Sequence, residues 1–236
     1  MKTAIFVLCI GDFYKSVSEF THPLIKEYAN KIGADFIECT ETKLPYPHYA
    51  KLEIYNLLDK YDRILYLDTD ILISPNTPNI FDIVPENKLG LLDESILGYN
   101  DKFIEFLKTY GKEYVNSWST HQKCYNAGVI VCSKIHKDLF KLPDTFIKHY
   151  WEQSYLNLRI LQEKMEVFEL PMQYNRMVYL DIVTNEHRLK SYIVHYAGVA
   201  CQMTIDQFKN LLISEYKMLV SQDFSNDQVR IVIPPN

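Results

Sequence analysis

The chain has 236 residues, enough for one α/β domain with a substantial core. Its content of 47% hydrophobic and 23% charged residues is typical of an ordinary soluble globule, and no apolar run approaches the about 18 residues that span a bilayer. With 30 acidic residues against 25 basic ones and no basic stripe, the composition argues against a nucleic-acid partner.

The cysteines are odd in number, scattered and without a C-x-x-C pair; they are Cys9, Cys39, Cys124, Cys132 and Cys201. This usage indicates a reducing compartment and no cysteine metal site, so we expect a cytoplasmic protein. The apolar run near the N-terminus is short for a signal peptide and lacks a small-residue cleavage site. It predicts a first buried strand instead.

Apolar patterns in the first half of the chain predict alternating strands and helices. In chain order they are a strand over 3–10, a helix over 17–32, a strand over 34–39, a turn-rich loop over 40–48, a helix over 49–61 and a strand from residue 63. This alternation favours a mixed, mainly parallel sheet flanked by helices.

The second half continues the alternation. In chain order it contains a strand over 89–94, a helix over 101–115, a strand over 125–133, helical segments on both sides of Pro143, apolar segments over 166–171 and 191–198, and an amphipathic helix over 205–220. No repeat, low-complexity tract or linker divides the chain, so we expect a single domain over 1–236.

Residues 63–73, RILYLDTDILI, place two carboxylates within what otherwise reads as a buried strand. In a strand Asp68 and Asp70 project to one side while Thr69 points away, at the sheet edge where α/β proteins bind ligands. Two like charges so close favour a divalent cation, and oxygen ligands suit Mg²⁺ or Mn²⁺. The alternative is a turn in which the aspartates cap backbone N–H groups.

The segment YDRILYLDTDILI is similar to the Asp-x-Asp strand of glycosyltransferases with the A-type nucleotide-sugar-binding fold. It resembles especially glycosyltransferase family 8, the group of glycogenin and bacterial galactosyltransferases. Further motifs follow in the family's order, so the resemblance runs from about Ala4 to Gly198. It implies a Rossmann-like GT-A fold with a nucleotide-binding half over about 1–100, a sugar and acceptor half over about 101–200, and a C-terminal helix over about 204–222.

The family has a basic residue one helix upstream of its Asp-x-Asp strand, and Lys51 stands at that place. Independently, a helical wheel puts Lys51 at the border of an apolar stripe rather than on the polar face. The resemblance therefore makes Lys51 a catalytic and donor-binding residue. A lysine whose stem merely covers apolar surface is the alternative.

Two motifs extend the resemblance toward the donor sugar. YNAGVIV resembles the family's Asn-Ser-Gly strand, which makes Asn126 a sugar contact. EQSYLN resembles Asp-Gln-x-x-Leu-Asn, which assigns Glu152 to sugar hydroxyls and Gln153 to the surroundings of the anomeric carbon, both as catalytic residues. The alternatives are turn chemistry before a strand for Asn126 and a first-turn glutamate favoured by the helix dipole for Glu152.

SYIVHYAG matches the late strand whose histidine is the family's third protein metal ligand, so the implied ligands are Asp68, Asp70 and His195. A satisfied core histidine is the alternative for His195. LPMQYN resembles the family's Leu-Pro-x-x-Tyr-Asn, expected beneath the acceptor side. Asp12 and Tyr14 fall where the family binds the nucleotide base. The implied donor-binding residues are Asp12, Tyr14, Lys51, Asp68, Thr69, Asp70 and Asn126.

One segment departs from the family. After its His-x-x-Gly the family usually carries a lysine near a Pro-Trp, and that lysine contacts the diphosphate, whereas this chain reads HYAGVACQMT. Stabilisation of the diphosphate then rests on the metal, Lys51 and other groups.

The resemblance implies a Mn²⁺- or Mg²⁺-dependent glycosyltransferase that moves a sugar from a nucleotide diphosphate, above all UDP, to a hydroxyl of a glycan, lipid-linked or protein acceptor. Family 8 enzymes retain the anomeric configuration, and Gln153 is a poor nucleophile, which favours front-side displacement. Two rivals remain: a nucleotidyltransferase, although LCIGDFYKSV lacks a glycine-rich basic phosphate loop, and a catalytically silent nucleotide- or sugar-binding module.

Overall fold

The computed structural model describes residues 1–98, 100–121, 123–146, 151–199 and 202–221. The strands in this part of the chain are β1 Thr3–Leu8, β2 Asp35–Cys39, β3 Arg63–Leu67, β4 Ile71–Ile73, β5 Leu89–Leu91, β6 Val129–Ser133, β7 Val167–Glu169, β8 Arg176–Met177 and β9 Ile193–His195.

The α-helices in the described ranges are α1 Asp12–Ile32, α2 Ile54–Leu57, α3 Asn100–Tyr110, α4 Val115–His121, α5 Glu152–Gln162, α6 Leu180–Thr184 and α7 Ile205–Ser221. Short 3₁₀ helices lie at Pro47–Glu53, Ile80–Asp82, Ser95–Leu97, Lys112–Tyr114, Lys134–Phe140, Met172–Tyr174 and Arg188–Lys190. Among these helices none is both long enough and apolar enough to cross a bilayer.

A six-stranded sheet in the order β2-β1-β3-β6-β5-β7 forms the centre of the fold. β2, β1, β3, β5 and β7 all run in one direction, and β6 runs against its neighbours β3 and β5. The predicted mixed, mainly parallel sheet is therefore confirmed. The reversal of β6 matters for function, because its first residue, Val129, pairs with Leu67 at the carboxyl end of β3.

The predicted strand over 63–73 is in fact two strands in different sheets. β3 ends at Leu67, and β4 begins at Ile71 in a three-stranded sheet of order β4-β9-β8 that the sequence did not predict. Asp68 still hydrogen-bonds to the large sheet through its amide and Asp70 to the small one through its carbonyl. The Asp-Thr-Asp segment is thus the crossing between two sheets.

Helix α1 begins at Asp12, five residues before the predicted start. Gly11 has φ +95°, a conformation that glycine adopts without steric cost, and this turns the chain directly from β1 into the helix. Asp12 then lies in the first turn, where the helix dipole favours a carboxylate. Asp12 and Tyr14 are consequently on the helix rather than in a loop.

The predicted helix over 49–61 is replaced by a 3₁₀ helix over Pro47–Glu53 and one α-helical turn. Pro47 opens the 3₁₀ helix, a position where its missing N–H costs no hydrogen bond. The predicted helix over 101–115 also divides, because α3 ends before Gly111 and a 3₁₀ turn leads into α4. The C-terminal helix is confirmed as α7; the predicted residue 222 lies outside the described ranges.

Side chains of β3 point alternately into two cores on opposite faces of the large sheet. Ile64 and Tyr66 pack with helical residues from α3 and α5, whereas Leu65 and Leu67 pack with residues of α1. All five residues of β3 are buried, as expected for a strand covered on both faces. This double cover leaves the strand ends as the place for polar chemistry.

Candidate active site

A cavity of ≈ 410 Å³ opens at the carboxyl ends of β1 and β3. The structure brings all ten predicted site residues to its walls: Asp12, Tyr14, Lys51, Asp68, Thr69, Asp70, Asn126, Glu152, Gln153 and His195. Parallel strands direct ligands to this edge, and the antiparallel β6 delivers the loop before it to the same place. The Asp68 amide donates to the Gly128 carbonyl at 2.9 Å, which joins the two loops.

Asp68, Asp70 and His195 meet at the floor of the cavity. The Nε2 atom of His195 lies 3.6 Å from Oδ2 of Asp68 and 3.6 Å from Oδ1 of Asp70. These separations exceed the 2.7–3.2 Å of an N–H···O hydrogen bond. They match ligand atoms of a six-coordinate ion, which lie roughly 3 to 4 Å apart when metal–oxygen bonds are about 2 Å.

A chain of amides fixes the tautomer of His195. The backbone N–H of Gly128 donates to Oδ1 of Asn126, which identifies that atom as the amide oxygen. The same oxygen accepts from Nδ2 of Asn175. Oδ1 of Asn175 then faces Nδ1 of His195 at 2.9 Å, and that nitrogen must carry the proton. The lone pair of the neutral imidazole is thereby left on Nε2, between two carboxylates.

Three acceptors facing one another fit a divalent cation. Burial opposes ionisation of Asp68, but the charge of Lys51 and the hydrogen bond that Tyr66 donates favour it, and the pKa of Asp68 is lowered from its usual value. Burial raises the pKa of Asp70. Mn²⁺ or Mg²⁺ suits two carboxylates and an imidazole, so the residues present fit the predicted metal.

Gly128 permits this close assembly. A Cβ atom at Gly128 would lie 2.1 Å from Cε1 of His195 and 2.8 Å from Oδ2 of Asp68. Any side chain there would push apart the imidazole and the carboxylate. The glycine before β6 is therefore required by contact with the cluster.

Lys51 is not a snorkelling lysine, since only 2% of it is exposed. Its ammonium donates to the carbonyl of Ala127 at 3.0 Å and to Oε1 of Glu152 at 3.2 Å, and it lies 3.8 Å from Oδ1 of Asp68. Burial disfavours its charge, but Asp68 and Glu152 more than compensate and raise the pKa of Lys51. It is a buried cation between the metal cluster and α5.

Glu94 was not predicted, yet it holds two predicted residues. Its carboxylate accepts from Nε2 of Gln153 at 2.5 Å and from Nδ2 of Asn126 at 2.9 Å. Oε1 of Gln153 in turn accepts from Asn126 and from the N–H of Ala127. Burial raises the pKa of Glu94 to about 7, although both amides favour its ionised form.

Glu152 has one carboxylate oxygen without a protein partner. Oε1 accepts from Lys51, while Oε2 is buried and forms no hydrogen bond. Such an atom costs free energy unless a ligand supplies a donor. Because Glu152 lines the cavity, this oxygen is available to a hydroxyl group.

Thr69 lines the cavity but directs its hydroxyl elsewhere, as the strand period predicts. That hydroxyl donates to the carbonyl of Leu8 and contacts Nε2 of His22 at 3.3 Å. The rings of Tyr14 and His48, which also line the cavity, meet edge to face with centroids 6.4 Å apart. The start of α1, where the resemblance predicts base binding, therefore carries an aromatic pair.

Several of these residues had weak signals in the sequence. Glu94 follows a short apolar strand in LGLLDE, a pattern that announces a strand-end carboxylate but not its partners. Asn175 ends LPMQYN, the motif expected beneath the acceptor side, and its Oδ1 lies 2.9 Å from Nδ1 of His195. His48 ends a turn-rich loop and gives no signal. In the segment HYAGVACQMT, which departs from the family, Ala200 and Cys201 lie outside the described residues.

The chain is similar to known glycosyltransferases in sequence and in fold. The model described as "Glycosyl transferase family 8" matches residues 12–200. A search of curated proteins found no match. Among solved structures, a glycosyltransferase involved in glycosylation of the major capsid of PBCV-1 is 16% identical, with a TM-score of 0.57 over 89% of this chain and 99% of that one.

Two further structures share the fold. Mouse xyloside xylosyltransferase 1 is 11% identical, with a TM-score of 0.51 over 84% of this chain and 99% of that one. The glycosyltransferase GlyE of Streptococcus pneumoniae TIGR4 is 17% identical, with a TM-score of 0.50 over 96% of this chain and 64% of that one. At these identities the similarity shows the GT-A fold alone.

Proposed function

Because the chain belongs to glycosyltransferase family 8, we propose that it transfers a sugar from a UDP-sugar to a hydroxyl acceptor, with Mn²⁺ or Mg²⁺ as cofactor and with retention of anomeric configuration. The observation that carries this proposal is the convergence of Asp68, Asp70 and the unprotonated nitrogen of His195 on one point of the cavity floor. That arrangement of three acceptors is stable only around a cation.

In the proposed reaction Asp68, Asp70 and His195 hold the ion. The bound ion supplies charge stabilisation to the departing diphosphate. Asn175 keeps His195 in the required tautomer by accepting from its Nδ1–H, and the close approach of Gly128 keeps the ring beside Asp68. The protein thus prepares the ligand geometry before the donor binds.

Charge on the diphosphate needs further cations, since the family's usual lysine is replaced in the sequence. Lys51 and His48 are the basic groups on the described cavity wall besides the proposed ligand His195. The ammonium of Lys51 is held by the carbonyl of Ala127, whereas His48 lies beside Tyr14. We assign Lys51 to the charge near the scissile bond and His48 to the distal phosphate or ribose.

The sugar side supports retention without a covalent intermediate. Gln153 is a weak nucleophile, and its amide oxygen already accepts from Asn126 and Ala127. In front-side displacement the bond from the anomeric carbon to phosphate breaks as the acceptor oxygen bonds to the same face. The acceptor proton passes to the departing phosphate oxygen. Glu152, through its unpartnered Oε2, orients a sugar hydroxyl.

The part of the cavity lined by Asp12 and Tyr14 supports uridine as the nucleoside of the donor. Asp12 presents a carboxylate that accepts from the imide N–H of uracil, and Tyr14 offers an aromatic face for stacking. The acceptor is a hydroxyl of a glycan, a lipid-linked sugar or a protein. A cytoplasmic location is part of the proposal, and the free state of the four described cysteines supports it.

A screen of UDP- and GDP-sugars with Mn²⁺, followed by released nucleotide, tests the proposal. We expect UDP release from one or a few UDP-sugars, its loss in excess EDTA, and its recovery when Mn²⁺ or Mg²⁺ is added. Asp62→Asn is the matched control, because Asp62 lies at the opposite end of β3 on the surface.

Three results contradict the proposal. Undiminished turnover in excess EDTA would show that the reaction needs no divalent metal. Calorimetric binding of a UDP-sugar without UDP release, across acceptors of all three classes, identifies a silent binding module. Release of pyrophosphate from a nucleoside triphosphate and a sugar 1-phosphate identifies a nucleotidyltransferase.

A further inference from the structure

A second cluster of metal-ligand side chains lies behind the Asp68–Asp70 segment, outside the cavity. It consists of Cys9 after β1, His22 on α1 and Glu38 on β2. One ligand atom from each lies within 4.8 Å of the other two. Cys9 and His22 are each 3% exposed, whereas Glu38 reaches the surface, so two of the three ligands are held in the interior.

Hydrogen bonds around His22 fix which nitrogen carries its proton. A carbonyl only accepts, so the hydroxyl of Thr69 spends its single proton on the carbonyl of Leu8. Thr69 Oγ1 must then accept from Nε2–H of His22, which lies 3.3 Å away. The other ring nitrogen, Nδ1, faces Oε1 of Glu38.

Nδ1 of a neutral His22 and the carboxylate of Glu38 are both acceptors, so something positive must lie between them. A proton is one solution, giving an imidazolium paired with Glu38. Burial, however, lowers the pKa of His22 despite the pairing with Glu38. The sulfur of Cys9 lies within 4.8 Å of a ligand atom of each of these two side chains, and its protein partner is the hydroxyl of Ser18 at 3.2 Å.

We propose that Cys9, His22 and Glu38 bind one zinc ion, with water as the fourth ligand. Thiolate sulfur, imidazole nitrogen and carboxylate oxygen are all zinc ligands, and the sulfur distinguishes this site from the Asp68, Asp70 and His195 cluster. On binding, the thiol of Cys9 releases its proton to solvent. The Glu38 side chain, 32% exposed, gives the ion an entry path and leaves room for the water.

Zinc at this site positions the catalytic segment through Thr69. A metal-bound histidine usually donates its second N–H to an oxygen atom, which fixes the ring. Here that oxygen belongs to Thr69, which stands between Asp68 and Asp70. The site therefore anchors the Asp-Thr-Asp segment from behind. No C-x-x-C spacing announces it, because its ligands come from three separate elements.

Cobalt substitution tests the site without using activity. In metal-free full-length Asp70→Asn protein, Co²⁺ should produce a near-ultraviolet thiolate-to-cobalt charge-transfer band that saturates at one equivalent and is displaced by Zn²⁺. The Asp68, Asp70 and His195 cluster contains no thiol, so it cannot give this band. Cys9→Ser should abolish the band, and His22→Gln should weaken Co²⁺ binding by about tenfold or more.

Cys39→Ser is the matched control, because Cys39 is the neighbouring cysteine and pairs with Cys9 only through its backbone. It should keep the band. Zn²⁺ should also raise the melting temperature of Asp70→Asn protein but not that of its Cys9→Ser derivative, provided both show native circular dichroism.

Two outcomes overturn the proposal. If natively folded protein gives no thiolate band, His22 and Glu38 are a proton-linked pair. If the band survives Cys9→Ser, the metal binds another thiol.

Discussion

The two sides of the cavity differ in which groups satisfy their polar side chains. On the metal side, Nε2 of His195 lies 3.6 Å from a carboxylate oxygen of Asp68 and 3.6 Å from one of Asp70. On the amide side, Asn126 and Gln153 hydrogen-bond to each other and to Glu94. Under the proposed function, the metal side is completed by a cation from solution, whereas the amide side is organised by the protein itself.

The largest expected effect tests the dependence of the metal side. Asp70→Asn removes one carboxylate charge, and turnover should fall by more than the roughly hundred- to thousandfold lost with a single electrostatic donor. The fold should survive, because the amide is isosteric and relieves charge repulsion with Asp68. Nucleotide release and circular dichroism check both statements. Equal losses in Asp62→Asn would show that the effect is not local.

Lys51→Ala tests the group that joins the two sides. Because this ammonium faces charge that grows as the sugar–phosphate bond breaks, kcat should fall by roughly ten- to a thousandfold, with a smaller change in UDP affinity. Lys51→Arg should restore only part of the rate, since the guanidinium places its donors differently.

The control for this prediction is stability, because Lys51 is buried against Glu152. Urea unfolding of both variants separates a catalytic loss from a folding defect. An unchanged kcat in a destabilised Lys51→Ala protein would make the residue a structural partner of Glu152 alone.

On the amide side, the raised pKa of Glu94 predicts that the free energy of unfolding depends on pH. Its pKa is raised by burial to about 7 from 4.5, so the folded protein holds a proton that the unfolded chain has released. Stability relative to Glu94→Gln should therefore fall as pH rises from about 4.5 to 7, by up to about 3 kcal/mol, and then level off.

Urea unfolding across this range measures the difference, with exposed Glu113→Gln as the control. A flat difference would mean that the amide donors of Asn126 and Gln153 keep Glu94 ionised throughout. That result would make the amide side still better organised than the burial of Glu94 indicates.

The smallest expected effect concerns His195. His195→Ala removes one of three ligands, and Mn²⁺ affinity in the presence of UDP should fall on the order of tenfold or more. Asn175→Ala, which releases the tautomer of His195, should weaken Mn²⁺ in the same direction by less. Calorimetry measures the Mn²⁺ affinity of both variants. An unchanged affinity in His195→Ala would mean that this histidine is a core residue and not a metal ligand.

The sequence predicted the strands of the large sheet, and all ten candidate residues named from it line one cavity. Both succeeded because strand-end carboxylates and the family motifs are local patterns. It did not predict the division at Asp68–Asp70, since β3 and β4 are both apolar and only long-range pairing assigns them to different sheets. Glu94 and Asn175 were missed for the same reason: their importance lies in partners distant in the chain.

The crossing between the two sheets has a consequence for how the protein folds. Asp68 closes the large sheet, while His195 belongs to the small one, so the ion-binding point exists only after both sheets have formed and docked. Contacts so distant in sequence form late and slowly. Under the proposed function, the Mn²⁺ or Mg²⁺ ion is a reporter of completed assembly: a chain with one sheet unformed lacks the Asp68, Asp70 and His195 site, and added Mn²⁺ should favour the final docking step by mass action.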